Sequence, residues 1–486
     1  MLSDKQCYVL AAPVLLITAV LCFSGTLGAG FVSDDFVLVN RVASEGYYSS
    51  WGGESGSVFF RPVTSFSYLC DFHVWGINPI GFHLTNILWH FFAGFAVFLL
   101  FKAIMNRSGV QEPCTFSILA GVLFLSLASH SESVAWVSGR TDVIATALCL
   151  ASTIFYYRQL NKPSTLHAVL AFVLFSVGLL AKESIIITPL LWGLLLVYSL
   201  VASKENLRRN YILLGISALI AACYLILRIA FNTELVSNMR SGGFLSLSPV
   251  ELAENTVRYT FRVLIPSLPV SLRMVVTDSP VLVPLVLLVL MLFLFVFLHK
   301  RASDVQKRLL FLLAGCFFVS LLPVLSMKVS LFNTQSERFL YLPGVFAAGF
   351  LTVAVVSLFK KSRTILGILV LVILFQGFFL QRSNKNWKQA GRLCSSIAQS
   401  VSAYDADSVI ILSIPDSYRG AYVFRNGLNE AVTMLTGEES NYIVICMLGP
   451  YGDSLYSDRE NQIILEYTSQ TVLAFVNGKM ERMQSN

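Results

Sequence analysis

Long apolar runs, separated by short clusters of charge, recur along most of this chain. They lie near residues 8–29, 83–101, 115–129, 141–157, 165–181, 185–202, 211–230, 280–299, 309–326, 339–359 and 364–380. Most approach the roughly 20 residues an α-helix needs to cross a hydrocarbon core about 30 Å thick. The pattern predicts an all-α polytopic membrane protein with about 11 transmembrane helices. The first run is long and lacks a well-spaced small-residue cleavage site, so it reads as an anchor and not a removed signal peptide. After residue 380 the pattern changes. An amphipathic helix carrying Trp387, Leu393, Ile397 and Val401 precedes β-rich runs at 409–414, 443–447, 463–467 and 471–476, with helical character over 419–435. The expected organisation is a transmembrane domain over 1–380, with external loops 30–82 and 231–279, followed by a small extracytoplasmic α/β domain over 381–486.

Composition agrees with a bilayer environment. Hydrophobic residues make up 55% of the chain and charged residues 13%, where soluble domains carry about a quarter charged. Basic residues also orient the chain. With the N-terminus cytoplasmic, the short inner connections hold Lys5, Lys102, Arg107, Arg158, Lys162, Lys204, Arg208, Arg209, Lys300, Arg301, Lys307, Arg308, Lys360, Lys361 and Arg363, as the positive-inside tendency requires. An odd number of spans then places the tail outside. The net charge of +7 follows from this topology and gives no reason to expect nucleic acid. The nine cysteines show no CxxC and no paired spacing, and most fall in or beside spans, where cysteine acts as a small hydrophobe. Cys394 and Cys446 share the outer tail, which allows a bridge that spacing alone does not establish. Asn106-Arg107-Ser108 is the one glycosylation-type triplet, on the inner side.

Polar residues gather on the opposite face. Asp34 and Asp35 follow the first span directly, and two adjacent carboxylates repel, predisposing one to take a proton. Arg61, His83, His130, Glu132, Arg140, Asp142, Lys182, Glu183, Glu337 and Arg338 all map to external loops or to span ends opening on them. Ionisable groups near membrane depth cost a few kcal/mol and tend to line cavities or pair with one another. Any one of these pairs reads naturally as a helix-end ion pair. Together they suggest an outer polar cavity in which a carboxylate deprotonates a hydroxyl while Arg and Lys hold a phosphate. A lipid-linked phosphosugar meets those requirements. Two histidines with several carboxylates also permit a metal, but no ligand spacing specifies one; no cofactor is expected, and a divalent metal is left open.

The strings SDDFVLVN at 33–40, FRPVTSFSYLCDF at 60–72, GFHLTNILWHFFAG at 81–94, HSESVAWVSGRTDVIATAL at 130–148, LLAKESIIITPLL at 179–191 and SERFLYLPGVF at 336–346 occur in an order that resembles a known family. It is the membrane region of the transmembrane and tetratricopeptide-repeat-containing O-mannosyltransferases and their bacterial relatives. These are GT-C class glycosyltransferases that use polyprenyl-phosphate sugars, and the resemblance covers residues 1 to about 395. It implies a GT-C-like fold with Asp34 or Asp35 as the catalytic base. Arg61 matches the family's Arg-Pro motif. Arg140, Lys182 and Arg338 would contact the lipid phosphate, and Glu132, Asp142, Glu183 and Glu337 would orient those cations or bind sugar hydroxyls. His83 and His130 match family positions and are possible accessories, either bridging the acidic pair or serving as satisfied helix-end histidines. The family generally works without an essential metal.

The chain departs from the eukaryotic members in one respect: no 34-residue helical-pair repeat follows the membrane region. That puts a cadherin-type acceptor in doubt and favours a bacterial inner-membrane enzyme facing the periplasm over an ER enzyme facing the lumen. The acceptor would be any hydroxyl, on protein, glycan or lipid. Stretches 416–420 and 425–427 read as turns more than as an acceptor grip, and 251–264 as an interfacial helix. The competing functional class is a lipid or solute transporter with an external charged gate. It is disfavoured because no convincing internal repeat is present and because nearly all the polar candidates face outward.

Overall fold

The computed structural model describes residues 3–46, 60–200, 207–231, 248–267, 300–405, 409–439, 441–448, 471–476 and 478–483. Eight of its helices are long and apolar enough to cross a membrane: Asp4–Gly28, Pro79–Arg107, Val137–Asn161, Glu183–Leu200, Arg208–Ala230, Asp304–Val324, Glu337–Leu358 and Ser362–Val401. A ninth is the pair Pro113–Ser126 and Ala128–Ala135, bent by 54°. The bend follows Leu127, whose ψ of 129° takes the backbone out of the helical region. The apolar helix Thr165–Leu179 is shorter. These ten correspond to ten of the eleven expected spans; the run near 280–299 lies outside the described residues.

We label the helices α1 (Asp4–Phe23), α2 (Asp34–Glu45), α3 (Pro62–Trp75), α4 (Pro79–Arg107), α5 (Pro113–Ser126), α6 (Ser131–Ala135), α7 (Arg140–Asn161), α8 (Thr165–Leu179), α9 (Thr188–Leu200), α10 (Leu207–Phe231), α11 (Pro249–Leu264), α12 (Asp304–Leu321), α13 (Tyr341–Leu358) and α14 (Ser362–Val401). Local sequence accounts for several starts. Ser3 with Gln6, Ser248 with Glu251 and Ser303 with Gln306 form capping boxes, each satisfying backbone donors that a helix start leaves open. Proline at the first position of α3 and α4 costs nothing there, since that N–H has no helical partner. The amphipathic 251–264 stretch forms α11. Val9, Leu21, Ile226, Leu371 and Phe378 are exposed, as expected for faces that meet lipid.

Beyond the bundle the chain forms a mixed sheet of β1 (Val409–Pro415), β4 (Ile443–Leu448), β5 (Thr471–Val476) and β6 (Lys479–Arg482) in the order β4-β1-β5-β6. β1 runs parallel to β4 and β5, and β5 pairs antiparallel with β6. β1 is buried along its whole length. A small hairpin, β2 (Ser417–Tyr418) and β3 (Ala421–Tyr422), and a helix α15 (Leu428–Thr436) complete the unit. The helical character expected over 419–435 starts only at Leu428. Arg419, Gly420 and Gly427 have φ of 51°, 95° and 81°, and three left-handed residues break a right-handed helix. The expected run at 463–467 lies outside the described residues.

The C-terminal unit, called the outer unit below after the side the basic residues predict for it, is not a separate globule. α14 runs unbroken for 40 residues, so the last span and the expected amphipathic helix around Trp387 are one element across the 380/381 boundary. The core around β1 is also continuous with Phe31, Phe36, Tyr68, Phe82 and Trp136 of the membrane region.

The bridge that the outer tail allows does not form, and one that spacing did not suggest does. Cys394 is a buried free thiol whose Sγ donates to Val423 O at 3.3 Å, so no Cys394–Cys446 bridge forms. Cys7 and Cys114, 107 residues apart, form a disulfide. Both lie at the end that the basic residues assign to the cytoplasm, a reducing compartment where such bridges are uncommon.

Candidate active site

The acidic motif opens α2. Ser33 precedes it with φ 46° and ψ −119°, a left-handed conformation that a non-glycine residue holds only when its surroundings fix it. Those surroundings come from the outer unit. Ser33 N donates to Val423 O at 2.8 Å, and Ser33 Oγ donates to Asn426 Oδ1 at 2.9 Å. His83 Nε2 lies 3.1 Å from Ala29 O, tethering the approach to the motif. His83 thus anchors the chain before the acidic pair and does not bridge the pair itself.

The two aspartates have different environments. Asp35 is 1% exposed. Its Oδ1 accepts from Ser138 N at 2.9 Å and from Ser138 Oγ at 2.5 Å, and its Oδ2 accepts from Val32 N at 3.1 Å. Burial pushes its pKa up to about 7; the Ser138 and Val32 donors pull against this, and the Asp34 charge adds to it. Asp34 is half-buried and makes no side-chain hydrogen bond or ion pair among the described residues.

The cations are held in pairs. Pro62 starts α3 immediately after Arg61, and Glu183 opens the 3-10 turn before α9, so two element starts face each other. Arg61 grips Glu183 with two bonds, Nε to Oε2 at 3.0 Å and Nη2 to Oε1 at 2.6 Å. Lys182 Nζ donates to Asp142 Oδ1 at 2.6 Å; burial lowers its pKa, with Asp142 opposing. Arg338 donates its backbone N–H to Glu132 Oε2 at 3.1 Å and its guanidinium to Glu132 Oε1. Arg338 also bonds Tyr422 OH at 2.9 Å, and that hydroxyl donates to Glu132 Oε1 at 2.9 Å. The Arg338 guanidinium lies over Trp136 and Phe339, 5.2 and 4.8 Å from the ring centroids. Burial raises the Tyr422 pKa, keeping the phenol protonated.

Other expected site residues lie deeper. Arg140 is 0% exposed, and its guanidinium is taken up by Asn86 Oδ1, Ser67 Oγ, Phe82 O and Asp71. Held by these four partners, it ties α7 to α3 and α4 instead of presenting its donors at the surface, where a phosphate contact was expected. Gly139 before it permits that turn, because a Cβ there would lie 2.6 Å from Glu132 O. Glu337 is buried against Arg262 of α11, away from the Arg338 pair. His130 is sealed among Phe124, His90 and Tyr341; it packs in the core and does not face the acidic motif. Among the described residues, no three His, Cys, Asp or Glu side chains are grouped to hold a metal.

Several contributors had no sequence signal. Tyr422 is one tyrosine in a two-residue strand, and Ser138 is one serine among many. Arg262 lies on the amphipathic 251–264 helix and Glu337 among the polar candidates, but nothing in the sequence pairs them.

No protein-family model matches the chain. In sequence it is similar to the protein O-mannosyl-transferase Tmtc1 of Drosophila melanogaster, 31% identical over 204 residues, covering 39% of this chain and 23% of that protein. Human TMTC4 is 28% identical over 195 residues, covering 34% and 26%, and Drosophila Tmtc2 is 32% identical over 235 residues, covering 43% and 24%. The chain spans about a quarter of the length of these curated relatives. In structure it is similar to ArnT from Cupriavidus metallidurans bound to undecaprenyl phosphate, with TM-score 0.50, 12% identity, and coverage of 97% of this chain and 93% of that one. The chain is therefore a multi-pass integral membrane protein of GT-C-like fold, similar in sequence to the TMTC protein O-mannosyl-transferases.

Proposed function

We propose that the chain is a glycosyltransferase that moves a sugar from a polyprenyl-phosphate donor to a hydroxyl acceptor on the extracytoplasmic side. The observation that carries this reading is the asymmetry of the acidic pair. Asp34 is accessible and has no hydrogen-bonding partner among the described residues, whereas Asp35 is buried under three donors. Asp34 is the base and Asp35 holds the motif in place. The acceptor oxygen attacks the anomeric carbon as its proton passes to Asp34, and the bond from that carbon to the phosphate oxygen breaks with its electrons leaving on phosphate. Attack opposite the leaving group inverts the configuration.

Arg338 and Arg61 are the partly accessible cations, with side chains 24% and 17% exposed. Held by Glu132 and Glu183, they present preset N–H donors to the departing phosphate, and fixed donors stabilise developing charge without reorganising. Lys182 adds a positive charge behind them. The undecaprenyl phosphate bound by ArnT and the transferase names of the sequence relatives support the same substrate class.

The test is incubation of purified protein with radiolabelled polyprenyl-phosphate sugars and hydroxyl acceptors. Labelled acceptor with release of polyprenyl phosphate supports the enzyme. Uptake into vesicles with the donor bond intact supports a transporter and overturns the reading.

A further inference from the structure

A row of basic residues lies outside this site, on α14. Leu374, Phe378, Arg382, Lys385, Lys388 and Arg392 follow one another by three or four residues, the step that keeps side chains on one helix face. Leu374 and Phe378 are 64% and 66% exposed, as lipid-facing residues are. One turn later the same face becomes basic: Arg382, Lys385 and Arg392 are exposed and Lys388 is half-buried.

None of the four cations pairs with a carboxylate among the described residues, and Ser362–Val401 contains no Asp or Glu. Snorkelling accounts for one or two cations where a helix leaves a bilayer. Four on one face, with no acid in 40 residues, goes further. The orientation read from the loops also puts this end outside, where basic residues are sparse.

At about 1.5 Å per residue, Arg382 and Lys385 lie about 6 and 10 Å beyond Phe378, at the level of the headgroup layer. Helical side chains lean toward the helix N-terminus, which for α14 is the membrane side. The stems of Lys388 and Arg392 therefore point back toward the same layer.

We propose that this face of α14 is a binding site for the anionic headgroups of phospholipids in the extracytoplasmic leaflet. It holds the outer end of α14 at a fixed height above the bilayer. Bulk phospholipid is the occupant because the ladder continues the lipid-facing side of the helix, and it does not rest on the catalytic reading above.

Delipidated full chain in detergent, mixed with equimolar phosphatidylglycerol and phosphatidylcholine, would be examined by native mass spectrometry. We expect phosphatidylglycerol to be retained about tenfold more, given the attraction of each basic residue to an anionic surface. The preference should collapse between about 50 and 500 mM NaCl. The combined Arg382→Gln, Lys385→Gln, Lys388→Gln and Arg392→Gln variant should lose it. Exchanging Arg for Lys and Lys for Arg at the same four positions should keep it, as should Lys360→Gln, Lys361→Gln and Arg363→Gln at the other membrane end. An unchanged preference in the four-glutamine variant overturns the proposal. So does salt-insensitive retention by the unaltered protein, which needs no variant to fold. With undecaprenyl phosphate added to the same mixture, its retention without phosphatidylglycerol would assign the face to a donor-type lipid and also overturn it.

Discussion

Tyr422 of the outer unit donates its hydroxyl to Glu132 at the bend of the α5–α6 pair, 2.9 Å away and 290 residues earlier in the chain. The same oxygen accepts from Arg338 at 2.9 Å. One phenol thus joins the C-terminal unit to a cation proposed to meet the donor phosphate. Tyr422→Phe keeps the ring packed edge-on against Trp136 and Trp387 and removes only this link. We expect a stability loss of about 1 kcal/mol with a several-fold rise in donor KM and a smaller change in kcat. Donor titration of the purified variant measures the split; an unchanged KM would show that the link does not position Arg338.

Asp34→Asn should abolish transfer and leave the melting temperature within a degree or two, because its carboxylate makes no hydrogen bond among the described residues. Asp35→Asn should lower both, since an amide nitrogen cannot accept from Ser138 or Val32 and strands buried donors at about 1–3 kcal/mol. Thermal melts beside single-turnover assays separate the two. Full activity in Asp34→Asn would remove the base assignment.

Asp35 also sets a pH dependence. Its pKa is raised by burial to about 7 from an ordinary 3.8, so between those values the folded state holds a proton that the unfolded chain releases. The stabilisation is complete below about pH 4 and is lost as pH rises through 7, at most about 4 kcal/mol. Melting curves of the unaltered protein should therefore show a downward component over this range that is missing in Asp35→Asn. Parallel curves for the two would contradict it.

Gly427→Ala combines two penalties. The residue has φ 81°, and a Cβ would sit 2.5 Å from Ser33 O, on the residue before the acidic motif. The backbone conformation alone costs about 1 kcal/mol. We expect transfer to fall by tenfold or more while Gly437→Ala, with a similar φ of 78° and open space around its Cβ, loses stability alone. Equal activity losses in both would assign the effect to the outer unit's folding.

Replacing both Cys7 and Cys114 with Ser removes a cross-link between residues 107 apart. Loops of that length are worth up to about 4.7 kcal/mol in the chain-entropy treatment. Because the bridge lies at the opposite end of the bundle from Asp34, the loss should appear in unfolding and leave KM unchanged; a shifted KM would argue against this separation.

Much of the architecture was legible in the sequence because bilayer crossing imposes a length and a polarity that one chain displays openly. The nearness of Arg61, Lys182, Glu183 and Arg338 to one another was legible too, since topology sorts polar residues to a side. Depth was not. Arg140 and Arg338 look alike as charges at helix starts, yet Asp71, Asn86, Ser67 and Phe82 O saturate the first while the second keeps an open edge. That difference comes from partners 54 to 73 residues away for the hydrogen bonds to Arg140, which no local pattern encodes. The hairpin around Arg419 and Gly420 escaped for another reason. Its composition suits a helix, and packing of Gly420 against Thr334 selects the turn.

The unbroken α14 makes the outer unit a lever arm. A helix of 40 residues is about 60 Å long, and without a proline or glycine-rich hinge beyond the bilayer it bends little. Torque applied to the sheet, by an acceptor or a neighbouring protein, is carried down the rod into the bundle. The same movement pulls on Ser33 through Val423 and on Arg338 through Tyr422. Loading that unit would therefore reach the start of the acidic motif and the Arg338–Glu132 pair together.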